Sequence, residues 1–278
     1  MTPNISVLIL TLNEEKNLPR CLETVAWSDD VVVFDSYSTD RTVEIARNFG
    51  ARIVQRRFDD ERSHRTESLR AGFKHPWVFN PDADEFATPE LVREMCDAVA
   101  RDGNRVAAFR VRRMDMFMGR WIRHASLYPT WLVRLFRPES IHFERTINLR
   151  YLVNGPEGRL NGHLVHHSFN KGLEEWMHKH NRYSTCEAAE SLKSLSTDGL
   201  PWGALLSADA VERRRALKEL SFRLPARPTL RFLYMYLLRG GCLDGPPGYH
   251  YCRLVSLYEY LICLKLKELR RREAGLPV

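Results

Sequence analysis

Apolar positions in the first hundred residues fall into short unbroken runs, each followed by a stretch in which they recur every three or four residues. Ile5–Leu10 (ISVLIL), Val31–Phe34 (VVVF), Arg52–Val54 and Trp77–Asn80 (WVFN) read as strands. Strands that are apolar throughout, rather than alternating, are covered on both faces. Between them, Asn13 is expected to cap a helix carrying Leu18, Leu22 and Val25 on one side. Ser38 or Thr39 is expected to cap a second helix through Phe49, which Gly50 closes in the left-handed conformation. A third helix is predicted over about residues 62–72, and Pro89 opens a fourth that runs to about Ala100. Strand and helix alternating in this way predict an α/β fold, with a mostly parallel central sheet and helices on both faces.

The pattern then changes. Ala107–Met114 and Trp131–Phe136 read as strands joined by a long segment, Asp115–Thr130, and connections of that length are commonly functional. His163–His167 is expected to add a strand that closes the sheet, and Leu173–Leu195 reads as a long helix with a polar face. Leu200-Pro201 is the expected hinge. The chain is thus divided into a domain over 1–200, with halves 1–101 and 102–200, and a helical appendage over 201–278.

Composition narrows the class. With 278 residues, 44% hydrophobic and 28% charged, the chain can bury a sizeable core, and disordered or collagen-like classes are excluded. Its six cysteines form no CxxC pair and have no histidine at metal-finger spacing, which points to a reduced chain. The opening MTPNISVLIL lacks a basic leader, so no signal peptide is expected, and no run reaches the roughly 18 apolar residues of a membrane span.

The net charge of +7 is unevenly placed: residues 212–278 hold 14 Lys and Arg against 6 Asp and Glu, leaving 28 against 29 for the rest. This basic tail is also aromatic and aliphatic, as in RFLYMYLLRGG and YHYCRLVSLYEYLICLKLKELRRR. Such a composition suits helices lying on an anionic membrane surface, here through 212–272; the plainer reading is a pair of core helices with solvated arginine faces. No nucleic-acid partner is expected, because zinc-finger spacing, a basic zipper and an RNP-like strand are all missing.

Ligands of open parallel sheets bind at the carboxyl ends of the strands. The first strand is followed there by Thr11-Leu12-Asn13-Glu14-Glu15, the second by Asp35-Ser36-Tyr37-Ser38-Thr39-Asp40, and the fourth by Pro81-Asp82-Ala83-Asp84-Glu85. All three edges are acidic or hydroxylated. Neither GxGxxG nor GxxxxGK(S/T) occurs, which removes dinucleotide-dependent oxidoreductases and P-loop enzymes. Asp82 and Asp84, one residue apart, offer hard oxygen ligands to Mg²⁺ or Mn²⁺, or else form a solvated turn before the Pro89 helix. Asp35 can accept from a ribose or a base imino group, or close an Asx turn.

These residues carry a resemblance. ISVLILTLNEEKNLPRCLETV, VVVFDSYSTDRTVEIARNFGARIV and WVFNPDADE, in that order, resemble the family-2 glycosyltransferases of bacterial cell-surface polysaccharide synthesis, in particular the lipopolysaccharide-core glucosyltransferase branch. The likeness is strongest over residues 4–101. It continues more weakly through LYPTWLVRLFRP, GRLNGHLVHHS, LEEWMHKHNRYS and RFLYMYLLRGGCLDGPPGYHY. It implies a GT-A fold, a nucleotide-diphosphate sugar (a UDP-sugar, UDP-glucose being one candidate), Mg²⁺ or Mn²⁺, and inversion at the anomeric carbon. By position, Thr11, Asn13 and Glu14 or Glu15 would line the nucleotide edge, and Asp35 would hold uracil or ribose. Asp82 would face ribose, phosphate or metal, Asp84 would bind the metal, and Arg65 would lie near the donor.

One departure concerns the base that single-displacement inversion requires. Where relatives often carry an acidic residue, this chain has Leu149, so Glu144 and Glu85 are the candidates. On the acceptor side, His166 is expected to face the site, with Trp121 and Tyr128 stacking on sugar rings or packing as a lid. The expected activity is transfer to a lipid-linked or lipopolysaccharide-type acceptor by a protein held peripherally on the inner face of the bacterial inner membrane. The competing reading, prompted by Leu149, is a non-catalytic nucleotide-sugar-binding or scaffold protein. A nucleotidyltransferase is disfavoured, since no glycine-rich basic loop follows the first strand.

Overall fold

The computed structural model describes residues 4–103, 105–126, 128–144, 149–195, 203, 207, 213 and 226–278. They form two compact units, one from Met1–Trp121 and Tyr128–Lys171 and the other from Ile122–Leu127 and Gly172–Val278. The expected hinge, Leu200-Pro201, lies outside the described residues.

The strands of the first unit are β1 (Ile5–Thr11), β2 (Val31–Asp35), β3 (Arg52–Gln55), β4 (Trp77–Phe79), β5 (Glu85–Ala87), β6 (Ala108–Phe117), β7 (Arg120–Trp121), β8 (Thr130–Phe136), β9 (Ile141–Glu144), β10 (Arg150–Val153) and β11 (Glu157–His166). The helices among them are α1 (Leu18–Val25), α2 (Thr42–Phe49), α3 (Glu61–Ser68) and α4 (Pro89–Asp102). The main sheet runs β3-β2-β1-β4-β8-β6-β11-β5, with β7 attached to β6. Strands β3, β2, β1 and β4 are mutually parallel, β8 runs against both of its neighbours, and β11 lies parallel to β6 but antiparallel to β5. This is the GT-A arrangement that the resemblance implied.

Alternation along β1 places Ile5, Val7 and Ile9 on one face, packed with Leu18, Leu22 and Val25 of α1 and with Leu91 and Met95 of α4. Leu8 faces the other way into a second core with Val32, Phe34, Val78, Val133 and Phe136. Coverage on both faces explains why these strands read as unbroken apolar runs.

Several expectations shift in detail. The N-cap of α1 is Asn17 rather than Asn13, whose backbone is left-handed (φ 55°). Neither Ser38 nor Thr39 caps α2; Asp40 instead accepts from the Thr42 backbone N–H at 3.0 Å. Helix α3 spans Glu61–Ser68, shorter than expected, and α4 starts as expected, with Thr88 capping Leu91. Strand β5, immediately after Asp84, was not foreseen, nor was the separate β9–β10 hairpin. Strand β11 is twice the expected length.

In the second unit, α5 (Leu173–Leu195) packs along α7 (Gly245–Glu273), with α6 (Arg227–Leu233) against the same helix. Lys265 of α7 donates to Asn181 Oδ1, Ser184 and Thr185 of α5 at 2.7–2.8 Å, and Arg227 of α6 pairs with Glu259 of α7 at 2.7 Å. The segment Ile122–Leu127 is fastened to Asp244, a buried carboxylate that accepts from the N–H groups of His124 (3.0 Å) and Ala125 (2.9 Å) and meets His124 Nδ1 at 2.7 Å. Among the described residues, no helix is long and apolar enough to cross a membrane.

Candidate active site

The loops leaving β1 and β2 are joined at the carboxyl edge of the sheet. Asn13 donates its backbone N–H to Ser38 Oγ (2.9 Å), and its side chain accepts from Thr39 N–H (2.8 Å). The backbone N–H groups of Glu14 and Glu15 donate to Thr42 Oγ1 (2.7 Å) and Asp40 Oδ2 (3.1 Å). The Glu14 carboxylate accepts from Asn17 (2.8 Å) and Lys171 (2.6 Å); burial raises its pKa and Lys171 opposes that rise. Glu15 accepts from Arg41 N–H at 3.2 Å.

Asp35 lies beneath this edge, fully buried. Its carboxylate accepts from Thr11 Oγ1 (3.0 Å), Ser38 N–H (3.0 Å), Ser38 Oγ (2.5 Å) and Gln55 Nε2 (3.0 Å). Thr11 and Asp35 are thus brought together.

Asp82 is the hub of a charged cluster. Arg65 Nη2 donates to Oδ1 at 2.9 Å and Arg134 Nη2 donates to Oδ2, while Arg134 also pairs with Glu85 at 2.9 Å. Glu85 Oε2 in turn accepts from Asp82 N–H at 3.0 Å. Arg65 also reaches Tyr151 Oη (2.9 Å). Burial would raise the Asp82 pKa, but Arg134 and Arg65 outweigh it and hold the carboxyl well below the usual range. For Glu85, burial prevails over Arg134, and the pKa is raised.

Arg134 reaches this cluster because β8 is bulged: Phe109 pairs with Leu135 and Arg110 with Val133, which leaves Arg134 with no partner across the ladder. It was not singled out from the sequence. The available signal was a lone cation between Val133 and Leu135 in an otherwise apolar strand.

Asp84 faces His166. His166 Nε2 lies 3.4 Å from Asp84 Oδ2, and His166 Nδ1 lies 2.7 Å from Asp115, which also pairs with Arg113 at 2.9 Å. Register explains the meeting, since Glu85, His166 and Asp115 stand opposite one another across β5, β11 and β6. Burial disfavours the charged ring, yet Asp115 and Asp84 lift its pKa to about 9. Asp115 was missed in the sequence because it fell in the stretch expected to be a loop.

Asp84 keeps 22% of its side chain exposed and Asp82 35%, so both carboxylates can be reached at this edge. Carboxylate oxygens are the hard donors that Mn²⁺ or Mg²⁺ takes, and His166, with its raised pKa, is the ion-pair partner of Asp84 and Asp115 rather than a ligand. Among the described residues, no group of three His, Cys, Asp or Glu side chains forms a complete cage. Such a cation would complete its coordination with phosphate and water oxygens.

The remaining expected residues lie elsewhere. His166 is parted from Trp121 and Tyr128: those two meet edge-to-face at 5.0 Å, and it is His163 that joins them, 2.8 Å from Tyr128 Oη. Glu144, 53% exposed, ends β9 beside Arg150 (3.8 Å). Pairing of Tyr151 with Phe143, and of Arg150 with Glu144, turns Glu144 away from the hairpin face that sends Tyr151 to Arg65. Leu149 is half-buried just before β10.

A family model described as glycosyl transferase family 2 matches residues 6–158. An uncharacterized glycosyltransferase of Rickettsia typhi is 25% identical over 95% of this chain and 87% of its own length. The lipopolysaccharide core biosynthesis glycosyltransferase LpsC of Rhizobium meliloti is 23% identical over 94% of this chain and 91% of its own. Among solved structures, glucosyl-3-phosphoglycerate synthase from Mycobacterium tuberculosis, in complex with Mn²⁺, UDP and phosphoglyceric acid, is 18% identical, with a TM-score of 0.45 over 60% of this chain and 71% of that one.

Proposed function

Because the chain belongs to glycosyl transferase family 2, we propose that it is a metal-dependent inverting enzyme that moves a sugar, foremost glucose, from a UDP-sugar to a lipid-linked or lipopolysaccharide-type acceptor. The observation that carries this reading is the division of labour within Asp82-Ala83-Asp84. Asp82 is clamped by Arg65 and Arg134, while Asp84 is presented beside His166 at the sheet edge where ligands bind.

Thr11, Asn13, Glu14, Glu15 and Asp35 would form the nucleotide edge, with Arg65 behind Asp82 on the donor side. Asp84 would hold Mg²⁺ or Mn²⁺, a cation that neutralises charge on a departing diphosphate. The acceptor hydroxyl attacks the anomeric carbon as the bond to the diphosphate oxygen breaks, and its proton passes to a carboxylate. Glu144 and Glu85 are the two candidates for that base. Glu144 is open to solvent, whereas both Glu85 oxygens are engaged with Arg134 and Asp82.

A membrane role for the C-terminal unit belongs to the same proposal. Leu237, Leu238 and Leu243 are 57%, 81% and 65% exposed close to Arg231 and Arg239, a composition that suits the headgroup layer on the inner face of an inner membrane. Of the expected 212–272 segment, residues 212 and 214–225 lie outside the described residues.

The test is UDP release from UDP-glucose by purified protein with Mn²⁺ or Mg²⁺, before and after chelation. Asp84→Asn is expected to lower turnover by about a hundredfold or more while leaving the fold intact. Unchanged, metal-independent turnover in this variant would remove Asp84 from the role. Glu144→Gln and Glu85→Gln, compared at saturating donor, identify the base by which one lowers kcat without weakening UDP binding. UDP binding with no turnover on any acceptor would instead favour the non-catalytic reading that Leu149 prompted.

A further inference from the structure

The first unit carries a second concentration of chemistry on the sheet face that holds Trp131. Cross-strand pairs place Arg110 beside Val133 and Arg159, Arg112 beside Trp131 and His163, and Met116 beside Trp121. Residues paired in this way share a face. Near the start of β6 and the end of β8 this face is apolar, with Ala108, Val133 and Phe136 in the core; toward Trp131 it becomes cationic and aromatic.

The guanidinium carbons of Arg112 and Arg159 lie 5.8 and 5.3 Å from the same Trp131 ring. Arg110 has its counter-ion in Glu157, at 3.1 Å for one of the two contacts. Arg112 and Arg159 have no carboxylate partner among the described residues. Arg112 donates only to the Asn161 carbonyl, and its buried Nε has no hydrogen-bond partner there. Arg159 is exposed. Neither guanidinium has a carboxylate to offset its charge among the described residues, and an anion taken up by their planar donor forks would supply one. Trp121, Tyr128 and His163 stand beside them, ring to ring at 5.0–5.9 Å. Burial, together with the charge of Arg112, keeps His163 below its usual pKa, so it adds an aromatic surface rather than a third cation.

We propose that this face is a subsite for an anionic sugar of the acceptor, its phosphate or carboxylate held by Arg112 and Arg159 and its ring lying against Trp131 and the Trp121–Tyr128–His163 cluster. This rests on the glycosyltransferase reading, and it names the acceptor as a charged saccharide rather than a neutral one.

Isothermal titration of the full chain with mannose 6-phosphate, glucuronic acid and glucose, each with and without saturating UDP, tests it. At least one anionic sugar is expected to bind about tenfold or more tightly than glucose, the scale of one charge-assisted pair. Whether the phosphate or the carboxylate probe gains more identifies which anion the site takes. Arg112→Gln and the exposed Arg159→Gln should each erase most of that preference, whereas Arg110→Gln, whose charge is already paired, should keep it. Equal affinity for all three sugars, a preference surviving in both variants, or displacement of the sugar by UDP overturns the subsite. Titration of UDP into the same samples keeps the outcomes apart: if UDP binds and the sugars do not discriminate, only the subsite fails; if UDP also fails to bind, so does the reading beneath it.

Discussion

Replacing Arg134 by methionine would remove the cation that faces two carboxylates, Asp82 and Glu85, from a position only 5% exposed. Asp82 would keep Arg65 at 2.9 Å, but Glu85, fully buried, would retain only the Asp82 N–H at 3.0 Å. Removing one partner of a buried pair costs about 3–5 kcal/mol, because the other charge stays buried without compensation. Stability would therefore fall by a large fraction of the roughly 5–15 kcal/mol typical of a native protein. A sharper expectation follows from the cause. If the loss comes from the stranded charge on Glu85, then Glu85→Gln in the same background should restore part of it, by about 1–3 kcal/mol, although Glu85→Gln alone destabilises by leaving Arg134 short of a partner. Glutamine keeps the oxygen that accepts from Asp82 N–H, so the rescue isolates the charge. Urea unfolding of the wild type, the two single variants and the double variant, followed by circular dichroism, measures the cycle. Simple additivity of the two losses, or an Arg134→Met loss below about 1 kcal/mol, would refute the reasoning, because the cluster would then be a surface-like pair.

Three further outcomes follow from other parts of the molecule. Gly162→Ala should destabilise by about 1–3 kcal/mol, since a Cβ there would stand 2.6 Å from Leu91 Cα and 2.9 Å from Leu91 N in α4; a thermal melt within error of wild type would show that β11 can shift away at no cost. Asp244→Ala should cost about 1–3 kcal/mol by orphaning the N–H groups of His124 and Ala125, a loss visible as faster amide exchange at those two residues, and unchanged exchange would mean that water replaces the carboxylate. Leu237→Ser with Leu238→Ser should weaken co-sedimentation with phosphatidylglycerol vesicles by about tenfold or more while leaving the melting curve unmoved, because both side chains are exposed; undiminished binding would exclude this patch as the membrane contact.

The first hundred residues were legible because each signal there is local. Unbroken apolar runs require cover on both faces, and the residues after β1, β2 and β4 fall at the ligand edge of any sheet built that way. Thr11, Asp35, Asp82 and Asp84 could thus be placed at that edge from the order of strands and loops. Small displacements, such as Asn17 rather than Asn13 at the start of α1, arose because the Asn13 side chain is taken by the loop contact to Thr39.

What the sequence by itself determined is therefore the alternation of strands and helices, the face each apolar residue takes, and the acidic character of the ligand edge. Which side chains meet at that edge was decided only by the tertiary structure. Strand β11 slots between β6 and β5, a pairing of strands distant in the chain, and so sets His166 between Asp84 and Asp115 and leaves His163 with Trp121 and Tyr128. A one-residue bulge in β8 turns Arg134 out of its ladder and into the carboxylates of Asp82 and Glu85. The physical reason is that a period of two fixes the face of a residue but not the neighbour across the sheet. Partner and register are chosen by packing between elements far apart in sequence, and a single inserted residue re-aims a side chain without altering the local pattern.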